Sequence, residues 1–196
     1  MSDYATGGGS ATPVDVIRGS VTIVDRDGTE LALDRTQSMV VIDIVHNQVH
    51  RGGYFHAEHV ASIGNNASLD ILVTPNTNLH FTAGIFAGGN CQIYFYENPT
   101  ASAGTTVPVY NMRRTSTAAA VFAAVHTPVV TAVGTTVLIP GRLIPGGNSP
   151  TTRIGGGVRT NTEWILKPNV PYLLRITNIS GATIVCDVAV EGYGAS

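Results

Sequence analysis

Gln92-Ile93-Tyr94-Phe95-Tyr96 places Ile93 and Phe95 on one side of an extended chain and Gln92, Tyr94 and Tyr96 on the other. The stretch Tyr172-Leu173-Leu174-Arg175-Ile176-Thr177 repeats the pattern, with Tyr172, Leu174 and Ile176 set against Leu173, Arg175 and Thr177. A period of two is the signature of a half-buried strand, so these segments fix the fold class as β.

Outward from them, further β-rich runs cover residues 69–73, 79–86, 105–110, 121–130, 135–139, 164–166 and 183–190. Turn clusters separate them, at Gly64-Asn65-Asn66, Gly88-Gly89-Asn90, Gly146-Gly147-Asn148, Gly155-Gly156-Gly157 and Ser180-Gly181. About ten short strands with turn signals at roughly 8–12-residue spacing predict an all-β, antiparallel, jelly-roll-like sandwich. Only residues 118–124 invite a helix, and the threonines before them and the β-branched residues after them weaken it. Residues 39–45 are Met, Val and Ile broken by Asp43, which suits a buried strand. The Gly- and Pro-rich residues 140–158 predict a long loop, a place where function collects.

Residues 1–16 are rich in Gly, Ser, Ala and Thr and predict an extended arm. Residues 21–33 are two short strand runs around Asp25-Arg26-Asp27-Gly28, which predicts a hairpin. The expected organisation is an N-terminal arm and hairpin over 1–37 and a sandwich body over 38–196. The apolar anchors Tyr4, Val14, Val16 and Ile17 suit attachment of the arm to a partner by strand addition.

Composition narrows the functions. Of 196 residues 12% are charged, and the net charge is −2, so no basic surface is expected to grip a phosphate backbone. No nucleic-acid partner is expected. No apolar run approaches a membrane span, and the N-terminus lacks the layout of a signal peptide. Cys91 and Cys186 form neither a CxxC pair nor a metal-spaced cluster, and read as two buried thiols; a long-loop disulfide is the alternative.

Four of the six histidines, His46, His50, His56 and His59, fall close together. His46-Asn47-Gln48-Val49-His50 has the spacing of a zinc-protease helix, but Asn47 stands where the general-base Glu is needed, and the region reads as extended. A cupin-type site wants two histidines on one strand face; here His56 and Glu58 share a face and His59 points away. No metal, cofactor or catalytic residue is therefore expected. Asn66-Ala67-Ser68 and Asn178-Ile179-Ser180 match a glycosylation sequon. Arg113-Arg114 could grip a partner's carboxylates.

The block Glu163-Trp164-Ile165-Leu166-Lys167-Pro168, continuing through Tyr172-Leu173-Leu174-Arg175-Ile176-Thr177-Asn178, resembles a family of virion structural proteins of tailed bacteriophages. The run from His46 through His50 to Phe55, then Thr74-Pro75-Asn76, Tyr96-Glu97, Asn111 to Ser116 and His126-Thr127-Pro128 are similar to that family's motifs in the same order. The likeness covers residues 40–193. It departs at Glu191-Gly192-Tyr193, where the family ends in Trp-Tyr-Glu, and at Pro171.

The resemblance implies a virion protein without catalysis, of the capsid decoration or cement type. It would bind the major capsid protein lattice as a homo-oligomer, a trimer, on the outer surface of the head. A tail or head-fibre module recognising host glycans through residues 140–158 is the first alternative. A metal-dependent or glycan-cleaving jelly-roll enzyme is the second.

Overall fold

The structure is a computed structural model that describes residues 44–146, the backbone of 156–159, and 163–194. The chain divides between Asp43 and Ile44, and every described residue belongs to the second unit. The predicted arm and hairpin, with Tyr4, Val14, Val16 and Ile17, lie outside the described residues.

That unit begins with a helix, α1 (Ile44–Arg51). This corrects two expectations: Ile44 and Val45 are not the end of a strand, and the stretch from His46 to His50 is not extended. The reason lies just downstream, in Gly52-Gly53. Gly52 takes φ of 73°, its N–H bonds Val49 O at 3.0 Å, and Gly53 N–H bonds Gln48 O at 2.9 Å. Those two bonds are the glycine-dependent helix terminator that satisfies the last carbonyls. Arg51 adds positive charge to the final turn, where the helix dipole favours it.

From Tyr54 onward every regular element among the described residues is a strand: β1 (Tyr54–Ile63), β2 (Ser68–Pro75), β3 (Leu79–Ala87), β4 (Cys91–Glu97), β5 (Thr100–Ser102), β6 (Thr105–Val107), β7 (Tyr110–Asn111), β8 (Phe122–His126), β9 (Val129–Ala132), β10 (Thr136–Ile144), β11 (Gly156–Arg159), β12 (Trp164–Leu166), β13 (Tyr172–Asn178) and β14 (Ile184–Gly194). One sheet has the order β11-β3-β14-β1-β7, with β12 also on β3; the second has β10-β4-β13-β2-β8-β6; β5 and β9 form a separate ribbon. Every pairing is antiparallel. The two large sheets enclose one core, so the body is an antiparallel β-sandwich.

Alternation builds that core. Ile93 and Phe95 of β4, Tyr172, Leu174 and Ile176 of β13, Phe81 and Ile85 of β3, and Val188 and Val190 of β14 are all buried. Phe81 and Phe95 bring their ring centroids to 5.5 Å, and Tyr172 lies 5.8 Å from Phe95. Burying such a side chain is worth about 1.5–3 kcal/mol, which makes this cluster the main source of stability.

Two further expectations are corrected. Residues 140–144 are the end of β10 and 156–158 lie in β11, so both ends of the predicted loop 140–158 are strand. Residues 121–130 are not one strand: Thr127, at φ of 48°, and Pro128 separate β8 from β9. The weak helical signal of residues 118–124 gives no helix, in line with the β reading, and Phe122 to Ala124 belong to β8.

Candidate functional site

The residues that carry the family resemblance are spent on framework. In β12, Trp164 and Leu166 face the core and Ile165 faces out; Trp164 meets Phe95 edge-on at 6.1 Å. Lys167 pairs with Glu97 at 2.7 Å, and the Tyr172 hydroxyl accepts the Lys167 N–H at 3.0 Å while reaching Glu97 Oε2 at 3.4 Å. Burial pushes the Tyr172 phenol up, so it stays a neutral donor. Arg175 makes a two-pronged pair with Asp70, both contacts at 2.7 Å.

Asn178 is fully buried. Its amide donates to Ile63 O at 2.8 Å and Ala182 O at 2.7 Å, and its Oδ1 accepts Ser180 N–H at 2.9 Å and the Ser180 hydroxyl at 2.7 Å. In the folded chain that sequon has no asparagine to offer. His80 lies 3.0 Å from Glu163 Oε1 through Nδ1, but out of line for a hydrogen bond, since the same atom is buried without one.

Around α1 the structure gathers several of the predicted residues. Arg113 donates through Nη1 to His50 O, capping the helix end, and through Nε to Thr115 Oγ1 at 3.3 Å. Buried Asn111 donates to Gly52 O at 2.7 Å and accepts Arg113 N–H at 2.9 Å. Arg113 is thus a clasp between the helix and the segment after β7. Arg114 lies over the exposed ring of Tyr110, 5.4 Å from its centroid, and keeps its charge on the surface. On the helix itself, His46 Nε2 and His50 Nε2 stand 3.0 Å apart.

The outer face of the β3-β14-β1 sheet is the second concentration of side chains. Register sets Val60, Asp187 and Phe86 in one row and His56, Glu191 and Thr82 in another, with Glu58 and Ala189 between. His56 lies 3.3 Å from Glu191 and 3.5 Å from Glu58, so His56 and Glu58 share this face as expected, while His59 turns inward. Tyr54 donates to Glu191 at 3.0 Å. The Asp187 carboxyl is pushed up, first by burial and then by the charge and hydrogen bond of Glu58; its Oδ1 is buried without a hydrogen-bond partner. Beside these acids stand Val60, Phe86 and Val185, exposed by 56%, 50% and 57%.

The opposite outer face, on β4 and β13, carries Tyr94 and Tyr96, stacked with centroids 6.0 Å apart. Gln92 accepts from the Tyr94 hydroxyl at 3.0 Å, and the Asp70–Arg175 pair lies in the same row as Tyr94. Gly141 of β10 has φ of 95°, and a Cβ there would come within 3.1 Å of the Tyr94 ring. Glycine is what lets the edge strand lie against the tyrosine.

Comparison with protein-family models, with curated proteins and with solved structures gives no match. The chemistry must be argued from the side chains alone. Among the described residues no three His, Cys, Asp or Glu side chains converge on a point that could hold a metal ion. No described helix is long and apolar enough to cross a membrane.

Sequence reasoning missed two features. The helical histidine pair was hidden by the β-branched run before it, although Gly52-Gly53 after two basic residues is a helix-stop signal. The outer patch of Val60, Phe86 and Val185 was hidden because β1 mixes His, Glu and Ala, and its period of two shows only once Phe55, Ala57 and Ile63 are recognised as the inward set.

Proposed function

We propose that this protein is a structural component of a bacteriophage virion, a decoration protein that binds the major capsid protein lattice and stabilises the head shell. The observation that carries the proposal is the patch of exposed Val60, Phe86 and Val185 around Asp187 on a rigidly paired sheet. Apolar side chains held this far out of the core make a dry contact face. The resemblance in the Glu163–Pro168 block and the framework role of its residues support the same reading.

The order β1-β14-β3-β12 opposite β2-β13-β4-β10, with β1 to β4 crossing alternately between sheets, supports the jelly-roll form. A ligand that binds only the assembled lattice lowers the lattice free energy by mass action, which is how a catalytically silent sandwich stabilises a shell.

Occupancy on purified capsids tests this. Phe86→Asp is expected to lower occupancy at least tenfold with the thermal midpoint nearly unchanged. Deleting residues 1–16 is expected to do the same if the arm is the tether. Full occupancy in both variants would sink the proposal.

A second reading rests on Tyr94 and Tyr96. Stacked, outward-facing tyrosines next to Arg175, Asp70 and Gln92 offer ring faces and hydrogen bonds to a sugar. Glycan binding that is lost in Tyr94→Ala, by a chain that does not bind capsids, would favour a fibre module.

A further inference from the structure

Histidines four apart in sequence meet only on a helix, where positions i and i+4 lie one above the other on one face. In α1 this brings His46 Nε2 and His50 Nε2 to 3.0 Å, with the ring centroids 4.5 Å apart and the planes at 65°. Both side chains are exposed. Imidazole nitrogens ligate first-row metals at about 2.0–2.1 Å, so a cation held equally by two nitrogens at this separation would subtend an angle of about 94°. That is the angle between neighbouring positions of a tetragonal or octahedral ion, the geometry preferred by Cu2+ and Ni2+.

We propose that His46 and His50 form a two-imidazole chelate for a nitrogen-preferring divalent cation, Ni2+ or Cu2+, on the exposed face of α1. Among the described residues no third His, Cys, Asp or Glu completes the set, so the remaining positions of the ion are filled by water or by a ligand from another molecule. The chelate is of the surface, exchangeable kind. Asn47 stands where a general base would be needed, so the pair does not make a hydrolase.

The charges nearby set the expected strength. Arg113 reaches His50 O, so its guanidinium lies at the same end of the helix and opposes a cation there. With two protein ligands and an opposing charge, binding is much weaker than at a closed four-ligand site.

A chelated ion has a structural effect of its own. A helix of eight residues is too short to be stable without tertiary support. A metal bridging its first and second turns adds a cross-link that only the helical form can make. The ion therefore stabilises α1, the element through which the chain enters β1.

The test is calorimetric titration of the full chain with nickel chloride, with the thermal midpoint followed in parallel. One equivalent is expected to bind and to raise the midpoint. His46→Ala and His50→Gln are each expected to weaken binding at least tenfold and abolish the rise, while His56→Ala stays within twofold. With Cu2+ as the probe, the electron paramagnetic resonance spectrum is expected to show two equatorial nitrogens in the native chain and one in either variant. Absence of one-to-one binding, or binding that persists unchanged in both variants, would overturn the proposal.

Discussion

Asn178 shows how much one side chain can hold. It ties the end of β1, through Ile63 O, to the turn between β13 and β14, through Ala182 O and Ser180, with no exposure to water. Asn178→Ala strands several backbone groups in a dry site, so the expected loss is about 2–4 kcal/mol. Urea denaturation of the two forms measures it, and a loss under about 1 kcal/mol would show that water replaces the amide. His59 predicts a pH effect. It turns into the sandwich from β1 and stacks on His126 of β8, with centroids 3.8 Å apart and the planes at 14°. Burial, and then the positive charge His126 can carry, hold its pKa below the ordinary histidine value of 6.5. The unfolded chain therefore takes up the proton first, and stability is lost as pH falls below about 6.5 toward the lowered folded value. The thermal midpoint is expected to drop between pH 7 and pH 5, and to drop less in His59→Gln. Parallel curves for the two proteins would count against this coupling.

At the scale of the element, β4 and β14 carry the two cysteines on their core faces. Both thiols are free and buried, as the sequence suggested; burial pushes Cys91 up to about 11 and Cys186 up to about 12. Neither is a thiolate at pH 8, so a disulfide-exchange reagent is expected to titrate no thiol in the folded protein and both after denaturation. Fast labelling of the native chain would show that the strands open locally. These strands were legible because strict alternation leaves one interpretation: residues 92–96 and 172–177 were recognisable almost to their ends, and β12 matched at both ends. Strands whose inward positions are Ala or His escaped, as β1 did, since small or titratable side chains carry weak hydrophobic contrast. The edge strand β11 is Gly-rich and its pairing with β3 comes from the backbone, which leaves little trace in side-chain pattern. The helix was missed because a β-branched run suits a strand locally, while the glycine terminator and the Arg113 clasp act from outside it. At the candidate site, the sequence drew attention to the histidines and to Arg113, but not to the distance between His46 and His50, which exists only once the helix does.

For the molecule as a whole, the exposed Val60, Phe86 and Val185 lead to a prediction about association. If that face also joins copies of the chain, light scattering at micromolar concentration is expected to give the mass of a trimer, and Phe86→Asp that of a monomer. A native chain that stays monomeric while still decorating capsids would assign the face to the shell alone. One feature of the topology bears on the order of events during synthesis. β1 pairs along its whole length with β14, Tyr54 opposite Tyr193 and Ile63 opposite Ile184, and β14 also separates β1 from β3. The first and last strands of the body are therefore neighbours at the centre of one sheet. At a translation rate of roughly 5–20 residues per second, β1 and β3 wait on the order of ten seconds for the strand that joins them. Until β14 leaves the ribosome, two strand edges and the apolar faces behind them stay open. The sandwich can close only after β14 has emerged, and that interval is when the nascent chain is most exposed to pairing with its neighbours on the same messenger.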